Sequence, residues 1–350
     1  MKKKLIITII VGFVSLIMGL ILAGIGFFTG GVVRLEEVSA PEEIHKIYNN
    51  LHTIKIDFIP HTVILKESRD NHYHVTYANS KNNTFSSLNL SENKGTLILS
   101  SQEQQFAIEG IMQFVGESLA QYKIDVQTVT IEVPKDKMVN RLEGRINYYG
   151  TSVIENVHIK EIDLEARLYL NNAEIDSGKI TSSYFQAEQS NLKHTNISIL
   201  GSNIHLIDTI LDTVNIKQYQ QLDAVQVTLL GENTFSPEQT LAVTNLSLTD
   251  TSLQNVNLDI HNKLDIRALA EHLGYQYDTL EELEKAVGDM SYFKEQAEHV
   301  GIFTKDKYEN LPVKKDSERQ ILTAEKKDSQ NKLTIHTTNA TINLRTPKPK

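Results

Sequence analysis

The sequence predicts a mainly β protein, in which a single N-terminal transmembrane helix is followed by a β-solenoid-like domain with a small helical insertion. Three observations in the 350 residues support this fold class. Residues 5–28 are uncharged, apolar and polar residues alternate from Thr53 onward, and a degenerate repeat of about 20 residues runs through 150–266. These patterns are typical of a membrane span, of β-strands and of stacked coils, respectively.

Composition and charge exclude several classes of function. The chain has no Cys, which excludes thiol catalysis, disulfides and thiolate metal sites. Its net charge of −9 argues against nucleic-acid binding, which needs a basic surface. The charge is divided unevenly, with +4 in residues 1–34, −18 in 35–302 and +5 in 303–350. We therefore expect an acidic body with a basic tail, and no nucleic-acid partner.

The apolar stretch at residues 5–28 is long enough to span a bilayer. It contains 18 apolar residues out of 24, and as a helix it would be ~36 Å long, against a hydrocarbon thickness of ~30 Å. Lys2, Lys3 and Lys4 precede it and an acidic segment follows it, which places the N-terminus in the cytoplasm and the C-terminal domain outside. A cleaved signal peptide is the alternative, but its apolar region is shorter and ends at a small-residue site. The sequence therefore predicts an uncleaved single-pass anchor within residues 1–34, with the lipid bilayer as the partner of 5–28.

Three small residues recur at every fourth position of this span. Ser15, Gly19 and Ala23 share one face of the predicted helix, and such spacing lets two membrane helices approach closely. The alternative is that small residues are simply common in membrane spans. Helix packing through this face is a hypothesis of the sequence.

Residues 35–50 are predicted to form a polar stalk that ends in a short helix starting near Pro41. Strands follow from Thr53, and residues 104–123 have the apolar spacing of an amphipathic helix. Alternation then resumes in a strand that ends at Pro134, because proline cannot donate to the ladder. The β-strand repeat domain is predicted to occupy residues 51–266.

The repeat within 150–266 is visible in five octads, each with Ile or Leu at its third and eighth positions. They are SVIENVHI from Ser152, AEIDSGKI from Ala173, SNLKHTNI from Ser190, TILDTVNI from Thr209 and TSLQNVNL from Thr251. A degenerate copy lies near Asn233–Phe235. Coils of this length with polar corners favour a β-solenoid, and a twisted two-sheet β-sandwich is the alternative.

The repeat pattern breaks at Arg267. Residues 267–302 are predicted to form a helical pair, because TLEE from Thr279 matches a capping box before an apolar helical pattern. Residues 303–350 are predicted to be a charged loop followed by closing strands at 332–345, which would cap the exposed end of the solenoid.

Two of the histidines are candidate metal ligands. His72 and His74 would project from one face of a strand, a spacing compatible with two imidazole ligands. No acid or third histidine lies nearby in a recognisable ligand spacing, and His194 and His205 share no repeated register. The sequence therefore predicts no metal site and no cofactor.

Several acidic residues are candidates for the cleavage of glycans, which needs two carboxylates flanking the scissile bond. Candidates in the repeat are Asp163, Glu165, Asp176, Asp208 and Asp212. The basic residues that a lyase would also need are dispersed, at Lys160, Arg167, Lys179, Lys193, Lys217 and Lys263. No hydrolase, zinc-protease, Walker or dinucleotide motif occurs, so the sequence predicts no catalytic residues and no enzyme.

The order of these features resembles the DUF4097 family of bacterial envelope proteins, also called putative adhesins. The resemblance rests on the span, the strand pair IKIDFIPHTVILKES, the strand VTIEVPKDK and the degenerate repeats. It covers about residues 50–265 and the last strands. The resemblance implies a single-pass protein of a Gram-positive bacterium with a right-handed β-helix-like domain facing outward, in a family where some relatives are linked to envelope stress. The family defines no functional residues that could be carried over.

Two functions follow as hypotheses. The first is a non-enzymatic, extracellular-facing, membrane-anchored binding or scaffold protein that acts in adhesion or envelope-stress signalling. Its stacked β surface would meet a membrane or envelope protein or a wall polymer. The second is a surface glycan-active enzyme on a β-helix scaffold. A groove lined by converging acids and a basic residue would favour the enzyme, whereas a smooth acidic face would favour the binding module.

Overall fold

The computed structural model describes residues 2–79, 87–102, 115–116, 119, 124–147, 150–200, 203–237, 244–272, 279–288, 290–316 and 318–347. The chain divides into two compact units. Unit 1 comprises Met1–His45, Thr76–Asn89 and Ser101–Val129, and unit 2 comprises Lys46–Val75, Leu90–Ser100 and Thr130–Lys350.

Unit 1 contains the helices α1 (Lys2–Phe28) and α2 (Gly31–Ser39). Within α1, the 21 residues Ile6–Gly26 form the one helix of the described chain that is long and apolar enough to cross a membrane. Gly30 has a φ of 83°, a left-handed conformation that glycine adopts without steric cost and that separates the two helices. The predicted N-terminal apolar helix is thus present.

The short helix predicted after Pro41 is wrong. The structure has a strand there, β1 (Glu42–Tyr48), in which half-buried and exposed residues alternate. Ile44 and Tyr48 lie on the same, half-buried face of the strand. The two-residue periodicity of burial therefore determines the structure here, and the acidic residues after Pro41, which suggested a helix start, do not. The helix predicted over 104–123 lies outside the described residues, apart from Val115, Gly116 and Leu119, which are helical.

The remaining elements follow in chain order. The strands are β2 (Thr53–Ile59), β3 (Thr62–Ser68), β4 (Tyr73–Asn79), β5 (Ser87–Asn93), β6 (Thr96–Gln102), β7 (Thr128–Pro134), β8 (Val139–Ile146), β9 (Thr151–Glu155), β10 (His158–Glu165), β11 (Arg167–Asn171), β12 (Glu174–Ile175), β13 (Gly178–Ser182), β14 (Phe185–Glu188), β15 (Asn191–Lys193), β16 (Thr195–Ile199), β17 (Asn203–Ile207), β18 (Ile210–Asp212), β19 (Asn215–Lys217), β20 (Gln221–Val225), β21 (Thr228–Leu230), β22 (Glu232–Ser236), β23 (Thr244–Thr249), β24 (Asn257–Lys263), β25 (Gly301–Thr304), β26 (Val313–Lys315), β27 (Arg319–Ala324), β28 (Lys332–Thr338) and β29 (Ala340–Arg345). The helices α3 (Ile266–His272), α4 (Leu280–Val287) and α5 (Ser291–His299) lie between β24 and β25, where the sequence predicts a helical insertion.

Unit 2 is built by a chain that passes alternately between two sheets. Sheet 1 contains β3, β9, β11, β14, β17, β20, β23, β29 and β25 in spatial order, all paired in parallel. Sheet 2 is also parallel from β8 and β10 through the short strand pairs to β22, β28 and β24. Each passage adds one coil to both sheets, so the fold is mainly β and solenoid-like, as predicted.

The corners, by which we mean the single residues that directly follow the strands of sheet 1, share a left-handed backbone conformation. Six polar residues with φ between 48° and 56° directly follow successive sheet-1 strands: Asn156, Asn172, Gln189, Asp208, Gln226 and Asp250. The N–H of each donates to a carbonyl of the next coil, as Asn172 does to Glu188 at 3.0 Å. Asn and Asp tolerate this conformation better than other non-glycine residues, which explains the polar corners in the repeat.

The core lies between the two sheets and consists of stacked positions. In three consecutive coils Ala173, Ser190 and Thr209 occupy one level. The Ala173 N–H donates to the Ser190 hydroxyl at 3.1 Å, and the Thr209 hydroxyl donates to the Ala187 carbonyl at 3.1 Å. Ile180, Ile197 and Ile216 form another level, fully buried at 0 % exposure. Full burial of an Ile or Leu side chain stabilises by about 1.5–3 kcal/mol. The octads from Ala173, Ser190 and Thr209 are therefore in register with the structure.

The octad from Ser152 is out of register. Ser152 lies in β9 of sheet 1 and pairs with Leu168, whereas Ile159 pairs with Ile175 in sheet 2. The structural copy begins at Val157, directly after the left-handed corner at Asn156. Strands of both sheets alternate with the same period of two, so the Ile and Leu spacing alone does not separate one sheet from the other.

The octad from Thr251 is only partly in register. Thr251 and Leu253 follow the corner at Asp250, as the repeat pattern requires. The eighth position of the octad, Leu258, does not take its predicted place in the core. Ile260 takes it instead, because Ile260 pairs with Ile335, which in turn pairs with Phe235. The degenerate copy begins at Val227, after the corner at Gln226.

The prediction that the last strands close the stack is wrong. β28 lies between β22 and β24, and β29 lies between β23 and β25. The outermost layer of sheet 2 is instead formed by β24 with the antiparallel strands β27 and β26. The C-terminal coil is thus inserted into the stack, where the buried Asn262 and Asn339 bond the backbone of the neighbouring coil.

Candidate binding surface

A row of polar and aromatic side chains runs up the outer face of sheet 1. Tyr169, Gln186, His205 and Asp223 occupy one register position on the consecutive strands β11, β14, β17 and β20. All four are half-buried, whereas the residues on either side of them point into the core. Neighbouring strands are about 4.8 Å apart, so the row extends over about 15 Å. We call these four residues, together with Tyr184, the aromatic row.

Tyr184 sits at the corner before β14 and covers the centre of the aromatic row. Its ring centroid is 5.2 Å from that of Tyr169 and 5.8 Å from that of His205. Its hydroxyl donates to Gln186 Oε1 at 3.2 Å. Burial and the neighbouring Tyr169 raise the pKa of Tyr184, against a smaller opposing effect of Arg167. The phenol is therefore neutral at physiological pH and remains a hydrogen-bond donor.

The polar end of the aromatic row is held by Asp223. Gln221 Nε2 donates to Asp223 Oδ2 at 2.6 Å, and His205 Nδ1 lies 3.7 Å from the same oxygen. The row thus combines half-buried rings with oriented amide, imidazole and carboxylate groups. Tyr side chains of this kind lose little conformational entropy on binding and are enriched in protein interfaces. Chemically, the arrangement is suited to binding and contains no nucleophile paired with a base.

The outer face of sheet 2 carries charges that are paired with one another. Arg141 contacts Glu143 and Glu161, both at 2.6 Å, and Arg145 contacts Glu165 at 2.9 Å. The side chains of these groups are 29–59 % exposed, so each pair contributes little to stability. Of the predicted acids, Glu165 is neutralised in this way.

Asp176 belongs to a second charged cluster on sheet 2. Lys193 Nζ lies 2.5 Å from Glu174 and 3.3 Å from Asp176, and His158 Nε2 lies 2.9 Å from Asp176. Burial alone would raise the pKa of Asp176, but the hydrogen bonds and charges of His158 and Lys193 outweigh it and hold that pKa below its ordinary value. Lys193 thus occupies the space between the two carboxylates. Asp163 and Asp208 are exposed on different parts of the coil, on β10 and at a sheet-1 corner.

Ser15, Gly19 and Ala23 lie along α1, as the sequence predicts. A Cβ built on Gly19 would meet no atom of the described chain within 4 Å. Packing of a second helix against this face stays a prediction.

His72 and His74 converge on an acid that the sequence argument overlooked. His74 Nε2 lies 2.8 Å from Asp70 Oδ1, and His72 Nδ1 lies 3.6 Å from the same oxygen. The hydrogen bond from His74, with one from the His72 backbone, lowers the pKa of Asp70 to about 2. The same oxygen accepts the His72 N–H and the Ser68 hydroxyl, so this carboxylate closes a turn. His194 lies apart from it, exposed at a left-handed position between β15 and β16.

The structure reveals another group that could hold a metal ion, formed by Asp259, His261 and His336. We call it the histidine cluster. His261 Nε2 lies 3.1 Å and His336 Nε2 3.4 Å from Asp259 Oδ1. Sequence reasoning missed it because His336 reaches His261 only through the insertion of β28 beside β24. The aromatic row was missed for a similar reason, since Tyr169 and Tyr184 meet only when the coils stack.

One comparison with known proteins identifies a family. The family model described as Toastrack DUF4097 matches residues 51–345. No curated protein matches the chain.

Solved structures of similar proteins are distant. A putative cell adhesion protein from Clostridium sporogenes is 10 % identical, with 88 % of this chain and 100 % of that chain covered and a TM-score of 0.28. A putative adhesin from Parabacteroides merdae is 14 % identical, with 61 % and 90 % covered and a TM-score of 0.31. A putative adhesin from Bacteroides fragilis is 11 % identical, with 56 % and 94 % covered and a TM-score of 0.25.

Proposed function

The chain belongs to the Toastrack DUF4097 family, and on that premise we propose that it is a membrane-anchored, non-enzymatic binding module of the bacterial cell envelope. The observation that carries the proposal is the aromatic row, because Tyr169 and Tyr184 present a fixed, half-buried aromatic surface. Tyr is enriched among the few residues that supply most of the binding energy in protein interfaces. A role in adhesion or in envelope-stress signalling follows from binding a partner through this row.

Anchoring is the second part of the proposal. Helix α1 supplies the span, and Lys2, Lys3 and Lys4 favour a cytoplasmic N-terminus. The solenoid-like domain then faces the outside of a Gram-positive cell, with the coils wound as a right-handed β-helix. Stacked parallel coils give such a domain its stability without any disulfide.

A protein partner fits the surface better than a wall polymer does. Residues 35–302 carry a net charge of −18, which repels anionic polymers and lipid headgroups at low salt. The row itself offers aromatic faces and hydrogen bonds rather than cationic side chains. We therefore propose a protein of the membrane or envelope as the occupant of the aromatic row.

The alternative of a glycan-active enzyme needs two carboxylates free to act on a glycosidic bond. In the described part of sheet 2, Glu174 and Asp176 are bridged by Lys193, and Glu161 and Glu143 by Arg141. Neutralised pairs of this kind support the non-enzymatic function.

Affinity capture tests the proposal. The intact protein is purified from solubilised membranes as wild type, as the double variant Tyr169→Ser/Tyr184→Ser and as the control Phe58→Ser. Phe58 is 50 % exposed on β2, which pairs with β8 of sheet 2, whereas the row lies on sheet 1. We expect one partner protein to copurify with the wild type and the control but not with the double variant. Equal recovery with all three would overturn the proposal.

A further inference from the structure

We propose that the histidine cluster of Asp259, His261 and His336 is a binding site for a zinc-type divalent transition-metal ion. The site is independent of the aromatic row and lies on the outer face of sheet 2.

The register of the inserted strand brings the ligands together. His261 on β24 and His336 on β28 are directly paired across parallel strands, and their ring centroids are 4.7 Å apart. Asp259 precedes His261 by two residues and therefore projects from the same face of β24. The site depends on β-sheet geometry and not on a flexible loop, which favours a fixed arrangement of ligands.

The spacing of the ligand atoms fits a tetrahedral ion. Zinc bonds of about 2.0–2.1 Å separate neighbouring ligand atoms of a tetrahedron by about 3.3–3.4 Å. In the cluster the two imidazole nitrogens lie 3.1 Å and 3.4 Å from Asp259 Oδ1, and all three atoms lie within 4.8 Å of one another. Only a small adjustment of the two exposed imidazoles is needed to bring all three atoms onto one ion.

The type and exposure of the ligands define the class of metal. Two imidazoles with one carboxylate suit Zn²⁺, Cu²⁺ or Ni²⁺, whereas Mg²⁺ and Ca²⁺ prefer oxygen ligands throughout. The side chains of His261 and His336 are 44 % and 58 % exposed, so an ion can enter and a water molecule can take the fourth position. Lys332 approaches only the other oxygen of the carboxylate, Asp259 Oδ2, at 3.4 Å.

Two similar groups in the described chain lack this arrangement. In the group of His158, Glu174 and Asp176, the ammonium of Lys193 already lies between the carboxylates. In the group of Asp70, His72 and His74, the carboxylate oxygen nearest both imidazoles also accepts a backbone N–H and a hydroxyl, and the rings are 6.4 Å apart. Both groups serve as internal controls.

Metal titration of the full-length protein in detergent tests the site. Zn²⁺ binding is measured by competition with a chromophoric chelator, and Co²⁺ is added as a spectroscopic probe of tetrahedral coordination. We expect one saturable Zn²⁺ site in the wild type, with an intense visible Co²⁺ band that added Zn²⁺ abolishes. His261→Gln and His336→Gln should each weaken binding by at least about tenfold, whereas His158→Gln and His72→Gln should bind as the wild type does.

The unfolding temperature is a second readout, which distinguishes loss of the metal site from misfolding of a variant. Zn²⁺ should raise the unfolding temperature of the wild type and the control variants, but not that of the His261→Gln or His336→Gln variants, because the ion binds only the folded site. The proposal is overturned if the wild type binds no Zn²⁺, or if folded His261→Gln retains wild-type affinity. Loss of binding in His158→Gln or His72→Gln, with His336→Gln unaffected, would overturn it as well.

Discussion

Asn262 holds Ala340 through both backbone polar groups of the latter: Asn262 Nδ2 donates to the Ala340 carbonyl at 2.7 Å, and the Ala340 N–H donates to Asn262 Oδ1 at 3.1 Å. Asn262 is 2 % exposed and Ala340 1 %. The two residues lie 78 positions apart, so this pair fixes the C-terminal coil in its place between β23 and β25.

Replacing Asn262 by Ala should therefore destabilise the protein. The substitution leaves a buried N–H and a buried carbonyl unpaired, each costing about 1–3 kcal/mol, so we expect the free energy of unfolding to fall by about 2–6 kcal/mol. Chemical denaturation of the full-length protein in detergent measures it. The control Asn245→Ala changes an exposed Asn on β23 and should shift the free energy by less than about 0.5 kcal/mol. Equal effects of the two variants would refute the role of the Asn262 pair.

Gly178 is required by the close approach of two coils. Its φ is 137°, and a Cβ there would lie 1.9 Å from the Ile162 carbonyl oxygen. We expect Gly178→Ala to lower the free energy of unfolding by about 3 kcal/mol or more, because backbone atoms must move. Gly288 also has a positive φ, 71°, but a Cβ there meets no atom of the described chain within 4 Å. Gly288→Ala should cost about 1–2 kcal/mol from backbone strain alone, and a cost as large as that of Gly178→Ala would contradict the steric argument.

The hydroxyl of Tyr219 lowers the stability of the folded protein. The side chain is fully buried, and its hydroxyl has no hydrogen-bond partner among the described residues. Burial also raises the pKa of Tyr219. Tyr219→Phe should leave the free energy of unfolding unchanged or raise it by about 1 kcal/mol.

Tyr308 is the matched control for Tyr219. Its hydroxyl donates to the Thr251 carbonyl at 2.6 Å in an equally buried position. Tyr308→Phe should therefore cost about 1 kcal/mol. If thermal unfolding shows that both substitutions destabilise equally, the Tyr219 hydroxyl has a partner and the prediction is wrong.

Asp176 should make the free energy of unfolding sensitive to acid. Its pKa in the folded protein is lowered, since the bonds to His158 and Lys193 outweigh the effect of burial. A lowered folded pKa gives stability that is fully present above the unfolded value of about 3.9 and is lost as the pH falls through the folded value. Between pH 5 and pH 2 the free energy of unfolding should therefore fall less steeply for Asp176→Asn than for the wild type. Lys193→Met should reduce the slope in the same direction, and unchanged slopes in both variants would contradict the assignment.

The sequence predicts the class of fold but not the order of its layers. The repeat is readable because every coil buries Ile or Leu at fixed positions, as with Ile180, Ile197 and Ile216. The start of each copy is set by a left-handed corner, such as Asn156, and not by the apolar spacing, which is why the octad from Ser152 is displaced by five residues. The insertion of β28 and β29 has no local signal, because it depends on the buried bonds of Asn262 and Asn339 to distant backbone.

The candidate sites also divide into those visible in the local sequence and those that depend on contacts between distant residues. The uncharged span is visible locally, and α1 is found where it is expected. The aromatic row and the histidine cluster combine residues from different coils, so their chemistry emerges only from the inter-coil register. Asp70, by contrast, lies two and four residues before His72 and His74, and a carboxylate preceding alternating histidines was a usable local signal.

Site-specific photo-crosslinking in intact cells tests the central claim most directly. A photoreactive phenylalanine analogue replaces Gln186, at the centre of the aromatic row, or Lys179, an exposed residue of β13 on sheet 2. We predict a discrete adduct with a second envelope protein at position 186 that is absent at position 179 and disappears when Tyr169→Ser is added. Absence of any adduct at position 186, or the same adduct at both positions, would contradict a binding function for the aromatic row.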